Sequence, residues 1–187
     1  TYLGLDPKKQ PIPVEPGIHY FMGGLRVDTQ NRTSLRNVYA AGECCAQYHG
    51  ANRLGGNSLL GAIYGGKIAA QTALAEADGS VHTCQITQAG AQTPLQEQQL
   101  LHRALLDGLG VVRTQESMER ALHTVQSLSG NLALLGQAVL RSALARRESR
   151  GAQFRADYPE TEHKYCAAAV AHYQQGNLSI TWGDVTI

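Results

Sequence analysis

The rhythm of apolar and polar positions changes several times along this chain. Over residues 1–17 no period holds, and Pro7, Pro11, Pro13 and Pro16 impose an extended, turn-rich backbone without a helix. Such an entry suits either a connection re-entering a domain or a free N-terminal arm. Leu25-Arg26-Val27-Asp28 then alternates as a half-exposed strand does, with Thr29-Gln30-Asn31 as its turn. Val38-Tyr39-Ala40-Ala41 predicts a short buried strand, closed by Gly42 and Glu43, whose C-terminal end would deliver an acid to a ligand crevice. Asn57 or Ser58 can cap a helix running to about Ala77, with Leu59, Leu60, Ile63, Ile68 and Leu74 among its apolar positions. In its interior, Gly61, Gly65 and Gly66 each cost about 1 kcal/mol relative to alanine. Their presence predicts a cofactor or strand lying close to the backbone, or small-residue packing against another helix.

From Asp78 to Thr93 no period lasts, and the segment is expected to be a linker between two domains, residues 1–77 and 94–187. A longer helical period follows. Thr93-Pro94-Leu95-Gln96 has the form of a capping box with proline at the first helical position, and the apolar stripe through Leu109 is expected to stop at Gly108 and Gly110. Thr114 is expected to cap a second helix carrying Met118, Ala121, Leu122, Val125 and Leu128, and a third is expected over Leu132 to Arg147 with Gly151 as its C-terminal cap. These three read as an antiparallel bundle. A polar loop through Pro159, a short helix around Ala167 to Gln174 and a closing strand over Leu178 to Trp182 complete the expectation of a mixed helix-and-strand fold.

Composition narrows the function. At 187 residues and 43% apolar content the chain can build a core without staples. A net charge of +1 with interspersed signs gives no footprint for nucleic acid. No apolar run approaches the roughly 20 residues of a membrane span, and no signal-peptide pattern opens the chain, so the expected location is cytoplasmic, with any membrane association through partner subunits. Cys44, Cys45, Cys84 and Cys166 match no disulfide framework or zinc spacing, and reduced thiols without a metal are expected.

The stretch from His49 to Leu60 carries the most specific chemistry: a histidine, the fixed guanidinium of Arg53, Gly55-Gly56 and Asn57-Ser58 just before an apolar helical run. That is the composition of an anion-binding loop at a helix N-terminus. Together with Pro11-Ile12-Pro13-Val14, His19-Tyr20-Phe21-Met22-Gly23-Gly24 and Ala40-Ala41-Gly42-Glu43, in that order, it closely resembles the flavoprotein subunit of succinate dehydrogenases and fumarate reductases. Ala145-Arg146-Arg147-Glu148-Ser149-Arg150-Gly151-Ala152 and Asp157-Tyr158-Pro159 look like that family's C-terminal helical domain.

The resemblance implies an α+β remnant of an FAD-binding α/β domain followed by a three-helix-bundle-like C-terminal domain. The dinucleotide-binding glycine motif and mobile capping domain would then lie outside this chain, as would the arginine that serves the family as proton donor, so no catalytic residue is assignable here. His19 and Arg53 look like the pair that binds a carboxylate of the dicarboxylate substrate. Gly42 and Glu43 resemble the turn whose acid holds a ribityl or ribose hydroxyl of FAD, and Asn57, Ser58 and Leu59 the helix start facing the flavin's pyrimidine edge. The implied activity is interconversion of succinate and fumarate, and the implied partner is an iron-sulfur electron-transfer subunit. L-aspartate oxidases share much of this loop, but Gly55-Gly56 stands where they usually carry Ala-Ser. Other departures are Gly61, where family members usually have an acid, Gln153, where a histidine is frequent, and a short tail beyond Trp182. For the isolated chain, a subunit-docking module without catalysis is the alternative.

Overall fold

The computed structural model describes residues 4–14, 17–46, 48–77 and 91–183. Two hydrophobic cores organise them, one on each side of residues 78–90; most of the expected linker, with Cys84, falls on that segment and lies outside the described residues.

The N-terminal core is small: Val27, Ala40 and Cys45, with Tyr48 against them. The strands expected at 25–28 and 38–41 are reduced to isolated bridges, Leu25 with Cys45 and Arg32 with Tyr39. Asn31 holds this region instead. Its backbone takes a left-handed conformation, and its buried amide donates to the Ala40 carbonyl at 2.7 Å and to the Tyr48 hydroxyl. A buried side chain thus adds to the two backbone bonds of this turn, Ala40 N to Asn31 O at 3.1 Å and Thr33 N to Val38 O at 3.0 Å.

Helix α1 spans Asn57–Glu76. Its N-cap is Gly56, with φ of 82°, rather than Asn57 or Ser58, and no side chain caps it. The left-handed turn at Gly56 starts the helix without an Asx or Ser cap. What approaches its glycines is neither a strand nor another helix but the preceding loop: a Cβ at Gly61 would lie 3.3 Å from the His49 ring, and one at Gly65 would overlap the Tyr48 hydroxyl. Gly66 faces open space.

On the other side of the linker, α2 (Leu95–Leu109), α3 (Gln115–Gln126) and α4 (Gly130–Ala145) pack pairwise into the expected three-helix unit. Leu101 and Ala104 of α2, Met118, Ala121 and Val125 of α3, and Ala133, Leu140 and Ala143 of α4 form its core. Gly108 lies inside α2, where a Cβ would sit 3.2 Å from Leu140 and closer still to Ala121; it permits helix contact and stops nothing. Thr114 caps α3, accepting from Ser117 N at 3.1 Å. Thr93 caps a different helix: its hydroxyl accepts from Leu132 N of α4 at 3.1 Å, and α2 begins without a side-chain cap. The Thr-x-x-Gln spacing is a local signal, but Thr93 is buried against α4, and tertiary packing redirects its oxygen.

Two short strands unforeseen from the sequence, β1 (Val112–Arg113) and β2 (Phe154–Arg155), pair in parallel. The helix expected at 167–174 is a strand, β3 (Ala168–Gln174), paired antiparallel with β4 (Asn177–Gly183), which contains the expected closing strand. Gln175 and Gly176 between them have φ of 50° and 81°. Positive φ at both central residues of a two-residue loop matches the right-handed twist of a hairpin and fixes its register. Helix α4 ends at Ala145, earlier than the expected Arg147, and Gly151 does not cap it. Arg155 does so: its buried guanidinium donates to the Arg146 carbonyl at 3.1 Å, with the Ala143 and Leu144 carbonyls at 3.4 Å.

Candidate functional site

The loop from His49 to Gly56 folds against the start of α1 and against the segment containing His19. That segment is held by the 3-10 turn Gly42–Cys44: Glu43 Oε1 accepts from Phe21 N at 2.9 Å, and Cys44 O accepts from Leu25 N at 2.7 Å. A Cβ at Gly42 would lie 3.4 Å from Ala62 of α1, so the turn sits against that helix. In this way short hydrogen bonds bring the sequence motifs to one end of α1.

Arg53 and Tyr20 meet there. The guanidinium carbon lies 5.1 Å from the Tyr20 ring centroid, a cation-π distance, and Nη1 donates to the Leu54 carbonyl at 3.1 Å. Tyr20 in turn meets His49 edge to face, with centroids 5.3 Å apart. Three side-chain atoms in this cluster are buried without a hydrogen-bond partner: Tyr20 Oη, His49 Nε2 and Arg53 Nε. Buried polar atoms are seldom left unpaired, so the cluster has hydrogen-bonding capacity that the described residues do not use. His49 also lines a shallow cavity of about 280 Å³, together with Tyr48, Asn57, Leu60, Gly61 and Tyr64.

Of the residues anticipated for substrate, Arg53 is half-buried in this cluster, while His19 is exposed next to Tyr20. Gly42 is buried, Glu43 is exposed with Oε1 engaged, Asn57 lines the cavity, and Ser58 and Leu59 occupy the first turn of α1. Tyr20, Tyr48 and His49 have no role that the sequence alone assigns. Their signal is proximity: Tyr20 follows His19, and Tyr48 and His49 precede the glycine loop. Cys45 beneath them is buried, and burial pushes its thiol up to about 11, so it behaves as a small apolar residue. Among the described residues no group of His, Cys, Asp and Glu has the arrangement to hold a metal ion.

The start of α1 fits one edge of a flavin. It has no acid in its first turn and no side-chain cap; Asn57 N donates to the Leu54 carbonyl at 3.2 Å, and the amides after it, with the positive end of the dipole, suit an electron-rich acceptor. The 187 residues contain no Gly-x-Gly-x-x-Gly, the backbone cradle of a pyrophosphate, so the fit concerns the ring end of the cofactor.

Residues 1–59 match the family model "FAD binding domain", and residues 129–187 match "Fumarate reductase flavoprotein C-term". The chain is 32% identical to a fumarate reductase (CoM/CoB) chain of Methanothermobacter marburgensis, across 87% of this chain and 37% of that protein. It is 36% identical to the L-aspartate oxidase of Rhodospirillum rubrum, across 91% of this chain and 66% of that protein. A solved E. coli quinol fumarate reductase chain, FrdA, superposes on all of it with a TM-score of 0.81 at 26% identity, using 40% of its own length. The chain thus spans a little over a third of the Methanothermobacter relative, and these identities do not separate the reductases from the oxidases. FAD is the cofactor these matches indicate. Both ends of the chain, and the fold between them, match one group of proteins: the chain belongs to the FAD-dependent flavoprotein family of fumarate reductases and succinate dehydrogenases, with L-aspartate oxidases among its relatives.

Proposed function

We propose that the protein carrying this chain interconverts succinate and fumarate, with residues 1–77 contributing the last part of its FAD-binding domain and residues 94–187 its helical domain. The observation that carries the reading is Arg53, a half-buried guanidinium over the Tyr20 ring with Nε free of any partner among the described residues, beside a helix start without a side-chain cap. A planar fork of donors matches a carboxylate in two parallel hydrogen bonds, and burial strengthens them. His19 donates a further hydrogen bond and polarises the same end of the dicarboxylate. Glu43 keeps Oε1 on Phe21 N, and its second oxygen accepts from a cofactor hydroxyl. The first-turn amides of Ser58 and Leu59 stabilise negative charge at the ring edge they face, and Asn57, whose own N–H donates to the Leu54 carbonyl, starts the helix beside them. FAD, when bound, supplies the hydride chemistry, and the chain's residues supply orientation and electrostatics. None of them takes the role of proton donor.

A second reading is oxidation of L-aspartate, favoured by the 36% identity to the Rhodospirillum rubrum enzyme. Gly55-Gly56 favours the first. An iron-sulfur subunit is the electron-transfer partner that the first reading implies, and no helix among the described residues is long and apolar enough to cross a membrane.

The test is Arg53→Ala in the full-length protein. Hydrogen bonds to a charged group are worth about 1.5–3 kcal/mol, so kcat/KM for the dicarboxylate should fall by roughly tenfold to a hundredfold, with flavin content unchanged. Loss of flavin instead would contradict the role given to Arg53.

A further inference from the structure

The helical unit touches the Arg53 loop at Ala51. The Ala152 N–H donates to the Ala51 carbonyl at 3.1 Å, two residues before Arg53. The preceding residue, Gly151, has φ of 56°, and a Cβ there would overlap the Ala51 carbonyl oxygen and lie 2.5 Å from its carbon and 2.8 Å from the Ala51 Cβ. Only glycine lets the two backbones approach this closely. The turn itself is anchored on both sides. Arg150 and Gln153 exchange backbone hydrogen bonds at 2.9 and 3.0 Å. Glu148, wholly buried, accepts from Arg146 Nη1 at 2.6 Å and from Arg150 Nε at 2.7 Å, and also from Glu162 N at 2.8 Å. Burial alone would raise the Glu148 carboxyl, but the hydrogen bonds from Arg150, Glu162 N and Arg146 hold it below its ordinary value, so the anchor stays charged.

We propose that Gly151 and Ala152 are positioning residues for the substrate site: the turn of the helical unit sets the height of the Ala51 carbonyl, and thereby where the Arg53 guanidinium stands over Tyr20. The coupling is mechanical. Arg53 Nη1 is tied to the Leu54 carbonyl and its backbone N to Asn52 Oδ1 at 3.0 Å, so the guanidinium moves with its own loop, and at Ala51 that loop is held by Ala152. A displaced guanidinium loses binding that ground state and transition state share, which raises KM and leaves kcat nearly unchanged.

This inference rests on the dicarboxylate reading, and the test separates the two. In the full-length holoenzyme, Gly151→Ala is compared with Gly176→Ala, whose φ of 81° brings the same backbone strain but whose Cβ would meet nothing within 4 Å. Gly151→Ala is expected to raise KM for the dicarboxylate about tenfold or more with flavin content and kcat changed less than threefold, whereas Gly176→Ala leaves KM unchanged. In the unmodified protein, saturating dicarboxylate should slow amide hydrogen exchange at Ala152 at least threefold, a readout that needs no folded variant. An unchanged KM in folded Gly151→Ala overturns the proposal. If that variant does not fold, unchanged exchange at Ala152 overturns it. If the unmodified protein neither turns over nor binds a dicarboxylate, the functional reading fails first, which no behaviour of Gly151→Ala could produce.

Discussion

Arg155 is wholly buried, and its charge is tolerated because every part of the guanidinium has a partner. Nε and Nη2 donate to the two oxygens of Asp157 at 2.9 and 2.6 Å, Nη1 reaches the end carbonyls of α4, and the ring of Tyr158 lies 4.9 Å away. Asp157 also accepts from Gln115 N at the start of α3, at 2.9 Å. One ion pair therefore joins the negative end of one helix to the positive end of another. Arg155→Met should destabilise the helical unit by about 1–3 kcal/mol in urea unfolding, since the buried end carbonyls of α4 lose their donor; a change under about 0.5 kcal/mol would contradict the clamp. The Arg155 hydrogen bonds hold the Asp157 carboxyl down at about 2. A depressed folded pKa means the contribution is complete above the ordinary carboxyl pKa of about 4 and is lost as pH falls towards the folded value. Stability measured between these limits should fall less steeply in Asp157→Asn than in the unmodified protein. In the sequence Asp157-Tyr158-Pro159 is visible as a motif, but its use in tying two helices together is not, because Gln115 and Arg146 belong to other elements.

At the scale of elements, the bundle is legible because Met118, Ala121 and Val125 repeat at helical spacing and Thr114 caps the helix they lie on. Gly108 shows how close the packing is. Gly108→Val places atoms where Ala121 and Leu140 already are, and overpacking of this kind costs about 1–3 kcal/mol, which chemical denaturation would detect; unchanged stability would mean that the helices part easily. The segment Ala167 to Tyr173 is less legible: its alanines favour helix, and only pairing with β4 across the Gln175-Gly176 turn makes it a strand. That dipeptide is the available signal. The strands expected near residues 27 and 40 shrink to single bridges for a different reason: their alternation is real, but the left-handed turn at Asn31, whose side chain donates to the Ala40 carbonyl, cuts the pairing short.

For the molecule as a whole, Leu59, Leu60, Ile63, Tyr64 and Leu74 leave much of the apolar surface of α1 exposed, and the site beside it keeps polar atoms without partners among the described residues. The role proposed for these residues is the carboxylate-binding half of a flavin site, and no Gly-x-Gly-x-x-Gly cradle for the pyrophosphate is among the 187 residues. The 187-residue chain purified by itself should accordingly be colourless and inactive, and flavin absorbance co-purifying with it would contradict that. Arg53 is legible in the sequence through its loop; the Tyr20 platform beneath it and the Gly151-Ala152 brace behind it are not, because both are set by contacts between distant segments. The dicarboxylate assignment is tested most sharply by anaerobic turnover of the full-length protein with an artificial electron carrier, offered succinate, fumarate and L-aspartate in turn. Oxidation of succinate or reduction of fumarate is the expected result, and turnover of L-aspartate alone, or of none of the three, would contradict it.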